Sequence, residues 1–172
     1  MRERKMTTIE KSAGSAGSIC TKGKIYVETS RGLKEMKVSV RSDLSMNMRE
    51  FLGEFILQQA KKVGYYKIEG KSACDMALSI DYLGRESGLD KFAVAHNFIQ
   101  NGDVMADPDM EFYDYQGVFI ASSYQLDSLG VFQQAIEQND EGVLVADQQL
   151  QEELQRFSEQ WAQTLYNKYK CS

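Results

Sequence analysis

The chain has few of the residues that carry most recognisable chemistry. Its 172 residues include one histidine, one proline, one tryptophan and three cysteines, at positions 20, 74 and 171. An odd number of cysteines, with no CxxC pair and no Cys/His spacing, indicates neither a disulfide framework nor a zinc site. We therefore expect reduced thiols in an intracellular protein. A single histidine also excludes a multi-histidine metal site within one chain.

Long apolar runs and the familiar nucleotide and hydrolase motifs are also missing. No segment approaches the length that spans a membrane, and the N-terminal residues lack the apolar core of a signal peptide. The sequence contains no GxGxxG, GxxxxGK[ST], HExxH or GxSxG motif. These absences predict a cytoplasmic protein without membrane contact, and they give no reason to expect a cofactor.

The charges that are present are distributed unevenly. Residues 1–24 carry a net charge of +4 and include the small polar run SAGSAGS, whereas residues 97–172 contain thirteen acidic and three basic residues. We predict a flexible basic leader over residues 1–24 and a single domain over residues 25–172. The acidic C-terminal half argues against a broad nucleic-acid-binding face, so contact with nucleic acid is expected only through the leader.

Apolar spacing predicts an α+β fold in which an antiparallel β-meander packs against flanking helices. Three- and four-residue spacing predicts a helix over residues 45–63, with Ser45 as its N-cap and Gly64 as its C-cap. Strands are predicted at 24–28, 33–41, 65–69, 76–83, 91–99, 110–115, 118–124 and 143–145. Residues 84–89 read as a loop.

Two further helices are predicted after the meander. The first is short and covers residues 126–138. The second runs from residue 148 to about residue 168, with Asp147 as its N-cap. Its apolar stripe includes Trp161, which we expect to anchor this helix on the sheet.

Turn-forming and ionisable residues concentrate in residues 96–112, HNFIQNGDVMADPDMEF. Asn101-Gly102 is a strong signal for a two-residue hairpin turn, because both positions tolerate positive φ. In that register His96 lies directly opposite Asp107 on the neighbouring strand. Such a pair could provide a base and the carboxylate that orients it.

Several interpretations of this stretch remain open. Asp107-Pro108-Asp109 is ordinary turn chemistry, and proline marks an edge, bulge or break because it cannot donate to a ladder. The stretch could also be a non-catalytic binding surface. Alternating acids, with His96 and Asp103, could hold a hard cation, but the glycine and glutamate of a calcium loop are missing. We therefore assign no metal site.

The motif NGDVMADPDMEF, followed by YQLDSLGVF, resembles an uncharacterised family of small bacterial proteins carried on conjugative elements, phages and related mobile DNA. The resemblance covers about a quarter of the chain. It implies a bacterial mobile-element context but no activity. The shared positions are Asn101, Gly102, Asp103, Met105, Asp107, Pro108, Met110 and Phe112, then Tyr124, Gln125, Asp127, Leu129 and Gly130.

These features predict a non-enzymatic accessory or interaction protein of a bacterial mobile element. An unknown protein partner would bind through the 96–112 hairpin and the acidic C-terminal half. The alternative is a metal- or His/Asp-dependent hydrolase or nuclease centred on His96 and Asp107, which requires convergence of these side chains in a pocket. The candidate binding residues are His96, Asn101, Asp103, Asp107, Asp109, Glu111, Tyr124 and Asp127.

Overall fold

The computed structural model describes residues 23–38, 46–71 and 76–169. The predicted leader up to residue 22, Ser45 and the end of the predicted 33–41 strand lie outside the described residues. The architecture is α+β, as predicted, with two sheets. No helix in the described part of the chain is both long enough and apolar enough to cross a membrane.

Six strands form the larger sheet, in the order β3-β4-β5-β6-β7-β8 with every neighbouring pair antiparallel. This confirms the predicted meander. Each strand in the sheet begins close to the end of the one before it. The strands are β3 (Tyr65–Ile68), β4 (Ala77–Glu86), β5 (Leu89–Gln100), β6 (Asp103–Tyr115), β7 (Val118–Leu126) and β8 (Val131–Gln134).

Three two-residue turns fix the central hairpins, and both residues of each turn have positive φ. The turns are Ser87–Gly88, Asn101–Gly102 and Gln116–Gly117, the last two as predicted. Turns of this kind match the right-handed twist of the strands that they join. The predicted loop over residues 84–89 is wrong, because β4 continues to Glu86 and β5 begins at Leu89.

The smaller sheet has the order β2-β1-β10-β9. Its β1 and β10 pair in parallel and its other neighbours are antiparallel, so the fold is not wholly antiparallel. It buries the second apolar core of the protein, in which Ile25 and Leu144 meet Tyr113 and Ile120 of the larger sheet. The strands are β1 (Ile25–Thr29), β2 (Gly32–Glu35), β9 (Ile136–Gln138) and β10 (Leu144–Ala146).

The first helix, α1 (Met48–Val63), begins three residues later than predicted. Its N-cap is Asn47, whose side chain accepts a hydrogen bond from the Arg49 amide at 3.0 Å. The same side chain donates to the Phe119 carbonyl at 3.0 Å and accepts from the Phe119 amide at 2.9 Å. Asparagine provides both a donor and an acceptor, so this cap also fastens the helix to β7.

A kink divides α1 and shifts its apolar stripe. Gly53 has φ 75° and ψ 162°, a conformation open to glycine and incompatible with a continuous helix. Phe55, which belongs to the predicted stripe, is consequently 67% exposed, while Leu57 is buried. Gly64 ends the helix in the left-handed region, which confirms the predicted C-cap.

The last helix, α2 (Gln148–Tyr169), agrees with the prediction at both ends. The Asp147 carboxylate accepts from the Leu150 amide at 3.1 Å, which confirms the N-cap. Trp161 is 8% exposed and belongs to the main core between the helices and the larger sheet. The expectation that it anchors α2 on the sheet is therefore confirmed.

The predicted helix over residues 126–138 is wrong. A single 3-10 turn, Asp127–Leu129, is followed by β8 and β9 instead. Gly130 has φ 62°, which ends the turn. Residues 131–134 then pair with β7, so hydrogen bonding to the sheet overrides a helical apolar spacing.

Candidate functional site

The larger sheet has two faces of different character, which we call the helix face and the outer face. The helix face packs against α1 and α2, whereas the smaller sheet covers one end of the outer face. Successive residues of a strand alternate between the faces. On β4, Leu78 and Ile80 enter the main core, and Ser79 and Asp81 therefore lie on the outer face.

The β5–β6 hairpin follows the predicted register from its turn as far as the pair of Asn97 and Ala106. The next pair is Ala95 with Asp109, so β6 carries an extra residue opposite His96. The predicted direct opposition of His96 and Asp107 is thus wrong. Pro108 lies inside this bulge, after a cis peptide bond, and it confirms the expected break because proline has no amide donor for the ladder.

His96 is packed into the helix face. It is 7% exposed, and its ring centroid lies 5.5 Å from that of Trp161 in an edge-on arrangement. Its Nε2 is buried and has no hydrogen-bond partner among the described residues. Burial, with a smaller contribution from Lys168, lowers the pKa of His96 from 6.5 to about 4. The imidazole is therefore neutral at physiological pH.

Asp107 and Asp127 hold the bulge and the 3-10 turn together. Asp107 Oδ1 accepts from the Ser128 amide at 3.3 Å, and Asp127 Oδ2 accepts from the Ala106 amide at 2.8 Å. Gln125 Nε2 donates to Asp127 Oδ1 at 2.7 Å. The amide of Ala106 is also the first cause of the lowered pKa of Asp127. We call these reciprocal bonds the clasp.

The clasp explains much of the motif that spans residues 101–130. Asn101 and Gly102 form the turn, while Met110 and Phe112 are fully buried in the main core. Gly130 ends the 3-10 turn that the clasp secures. These positions serve the local fold, and Asp107 is directed at a backbone amide rather than at the imidazole.

The outer face carries a second group of carboxylates. Glu111 forms ion pairs with Lys91 at 3.0 Å, and Lys91 also contacts Glu86 at 3.2 Å. Asp109 Oδ1 is buried and has no hydrogen-bond partner within the described part of the chain. Burial, followed by the negative charges of Glu111, Asp127 and Asp81, raises the pKa of Asp109 to about 6.

The candidate residues do not converge in one pocket. Tyr124 lies with its ring 5.2 Å from that of Phe157 of α2, and burial raises its pKa. Within residues 23–38, 46–71 and 76–169, no group of three His, Cys, Asp or Glu side chains could hold a metal ion. The candidates divide into the helix face (His96, Tyr124), the outer face (Asp109, Glu111), the clasp (Asp107, Asp127) and the hairpin end (Asn101, Asp103).

Two features of this region were not predicted. Asp81 shares the outer face with Asp109, and burial raises its pKa. Ile99 and Val104 form a cross-strand pair near the hairpin end and are 76% and 70% exposed. The signal for Asp81 was the alternation of small or polar residues with large apolar ones, in ALSID (77–81) and AVAHN (93–97).

No curated protein and no solved structure matched the chain in comparisons with known proteins. One protein-family model matched residues 46–168, more than two thirds of the chain. That region includes both helices, the whole larger sheet and β9 and β10 of the smaller one, and it excludes β1 and β2. The chain belongs to the family described as a domain of unknown function, DUF6908.

Proposed function

We propose that this chain is a non-enzymatic interaction protein, an accessory of a bacterial mobile element that contacts a protein partner through the end of the β5–β6 hairpin. The observation that carries the proposal is the pair of Ile99 and Val104. Both are aliphatic, directly opposed on neighbouring strands and more than two thirds exposed. The mobile-element context comes from the resemblance of the motif in residues 101–130.

The shape of the hairpin supports this role. Regular pairing of β5 with β4 ends at Asn97, and β7 reaches β6 only as far as Asp109. The last three residue pairs before the Asn101–Gly102 turn therefore extend past the paired parts of both neighbouring strands. The bulge and the clasp fix the base of this extension. A projecting apolar pair with a fixed base suits a protein contact, because fixing the base reduces the ordering entropy lost on binding.

The alternative of a hydrolase or nuclease requires a base and an orienting carboxylate. The His96 imidazole lies against Trp161, while Asp107 accepts a hydrogen bond from a backbone amide. Burial also disfavours the imidazolium that a general base must become. The arrangement of these two residues supports the interaction role rather than the catalytic one.

The proposal is tested by comparative capture from bacterial cells that carry the gene in its native context. Tagged wild-type chain is compared with the Ile99→Thr/Val104→Thr variant, since threonine retains the strand preference and removes apolar surface. We expect at least a tenfold loss of a specific co-purified protein. Leu83→Thr, a change at another exposed aliphatic residue, is the matched control and should retain that protein.

Equal recovery of the same protein by the wild type and by the double variant would contradict the role of the hairpin. A catalytic function makes a different prediction. It requires a nuclease or hydrolase activity of the purified chain that His96→Leu abolishes. Thermal unfolding of each variant establishes that any loss reflects binding rather than folding.

A further inference from the structure

The part of the outer face that the smaller sheet leaves uncovered has a floor of small side chains. Ser79, Ala93 and Ala95 lie side by side on β4 and β5, and Ser123 of β7 is 3% exposed. Small side chains at these positions rise less far from the sheet than the longer side chains beside them. An extended polypeptide segment could lie across such a floor with its own side chains directed at the longer neighbours.

The side chains beside this floor carry negative charge that the described residues do not neutralise. The pKa values of Asp81 and Asp109 are both raised, in each case first by burial. No ion pair joins either of them to a cation in the described part of the chain, whereas Glu111 is neutralised by Lys91. A buried carboxylate oxygen on Asp109 also has no hydrogen-bond donor there. Such a surface favours a cationic occupant.

The N-terminal leader has the complementary charge and the right point of attachment. The Gly23 amide donates to the Ser87 carbonyl at 2.6 Å, beside Leu89 of the core beneath the smaller sheet. The leader therefore joins the domain on the side of the outer face. Residues 1–22 contain two glutamates and five basic residues, Arg2, Arg4, Lys5, Lys11 and Lys22.

The distances also allow the leader to reach the acidic residues. Ala95 lies six positions after Leu89 on β5, which is about 20 Å of strand. A chain of 22 residues spans up to about 70 Å when extended. A tether of this kind gives an effective concentration in the millimolar range, so weak individual contacts suffice for docking.

We propose that the uncovered outer face is a docking surface for a basic polypeptide segment and that its occupant is the chain's own residues 1–22. Asp81 and Asp109 provide the negative charge that holds it. The segment covers the small-residue floor and neutralises the two carboxylates. This inference does not depend on the role of the hairpin end, because it concerns a different part of the molecule.

The test is paramagnetic relaxation enhancement in the full-length chain. A nitroxide is attached through Thr8→Cys, between Lys5 and Lys11, after Cys20, Cys74 and Cys171 are changed to serine. We expect the amide signals of Ala95, Asp109 and Glu111 to lose more than half their intensity at low salt. The intensity should return at high salt, because screening weakens exposed charge contacts.

Two acidic double variants separate docking from general attraction to a negatively charged protein. Asp81→Asn/Asp109→Asn should restore these signals. Asp140→Asn/Glu141→Gln, which removes the same charge from the turn between β9 and β10, should leave the loss unchanged. Equal signal loss in both variants, or no loss in the parent, overturns the proposal.

A mixed sample distinguishes the chain's own leader from that of another molecule. Nitroxide-labelled chain without isotope is added to isotope-labelled chain without nitroxide. Loss of the same signals in this mixture would assign the surface to a basic segment supplied by a second molecule and would overturn the intramolecular assignment. Intact signals in the mixture, with signal loss in the chain that carries both nitroxide and isotope, support the intramolecular assignment.

Discussion

On the helix face, β5 presents Phe92, Val94 and His96 to the main core, whereas its outer face carries Ala93 and Ala95. The same strand thus buries large apolar groups on one side and carries small residues at these positions on the other. The contrast extends to β6, where Met110 and Phe112 are fully buried beside the outward-facing carboxylates of Asp109 and Glu111. One face is occupied by helices that the chain itself supplies. The other carries the carboxylates of Asp81 and Asp109, which form no ion pair with a described residue.

His96 and Asp109 show what this difference does to ionisable groups. His96 is buried and Asp109 is half-buried, and burial disfavours the charged form of both. Because a histidine is charged when protonated and an aspartate when deprotonated, the first pKa falls and the second rises. The two faces therefore make opposite contributions to the pH dependence of stability over an overlapping range.

Removal of Trp161 should disrupt the helix face most strongly. We expect Trp161→Ala to lower the free energy of unfolding by about 3–4 kcal/mol, since it leaves a cavity beside His96. Urea denaturation measures the loss. Phe157→Ala, on the same helix but 38% exposed, is the control and should cost about half as much or less. Similar losses for the two variants would show that Trp161 does not anchor α2.

The pH dependence from His96 should be the next largest effect. Its pKa is lower in the folded than in the unfolded chain, so its contribution is fully present above pH 6.5 and is lost as pH falls toward 4. After allowance for solvent screening, this contribution to the free energy of unfolding is about 2 kcal/mol. Urea denaturation between pH 7 and pH 4 should show that this loss of stability, present in the wild type, is absent in the His96→Leu variant. An NMR pKa of His96 near 6.5 would contradict it.

Breaking the clasp should have a moderate effect. We expect Asp127→Ala to destabilise the fold by about 1–2 kcal/mol, because the Ala106 amide loses its acceptor. Urea denaturation gives the magnitude, and hydrogen exchange at Ala106 reports the bond itself. Asp103→Asn, at an exposed position of the same hairpin, is the control and should change stability by less than about 0.5 kcal/mol. Unaltered protection of Ala106 in Asp127→Ala would rule out the clasp.

Neutralisation of Asp109 should have the smallest effect on stability, and it should stabilise the protein rather than destabilise it. Its pKa is higher in the folded than in the unfolded chain. As pH falls from about 6 toward 4, Asp109 therefore takes up its proton in the folded chain before it does so in the unfolded chain. The charged form therefore costs stability above pH 6. We expect Asp109→Asn to stabilise the protein by about 1 kcal/mol at pH 7, after allowance for solvent screening, and to have little effect at pH 4. Urea denaturation at pH 7 and pH 4 measures the change. A variant that is less stable than the wild type at pH 7 would contradict the prediction.

The meander was accessible from the sequence because its signals are local. Asn101-Gly102 fixes a turn, and alternation along the strands assigns their faces. The register was correct up to Asn97 and Ala106 and failed beyond them. Proline predicts that the ladder breaks, but not that β6 gains a residue there, and this single residue separates His96 from Asp107.

The other errors have longer-range causes. Residues 126–138 have helical spacing, yet pairing with β7 turns part of the segment into a strand. The parallel pairing of β1 with β10 joins segments separated by most of the chain, and no local pattern indicates it. Placing Asp81 near Asp109 requires the register of β4 against β5, which the Ser87–Gly88 turn fixes. Residues 84–89 read as a loop, so that register could not be predicted.

The pairing of β1 with β10 also has a consequence for the order in which the fold is completed. β1 is synthesised before every other described strand, but its partner emerges from the ribosome only shortly before α2. Until then β1 has only β2 beside it, and afterwards it covers an edge of β10 that lies within the family-matched region. An uncovered edge is a template for a strand from another chain. Residues 25–29 thus cover the edge of β10. A fragment that begins at residue 46 would expose that edge, which could then pair with a strand of another copy.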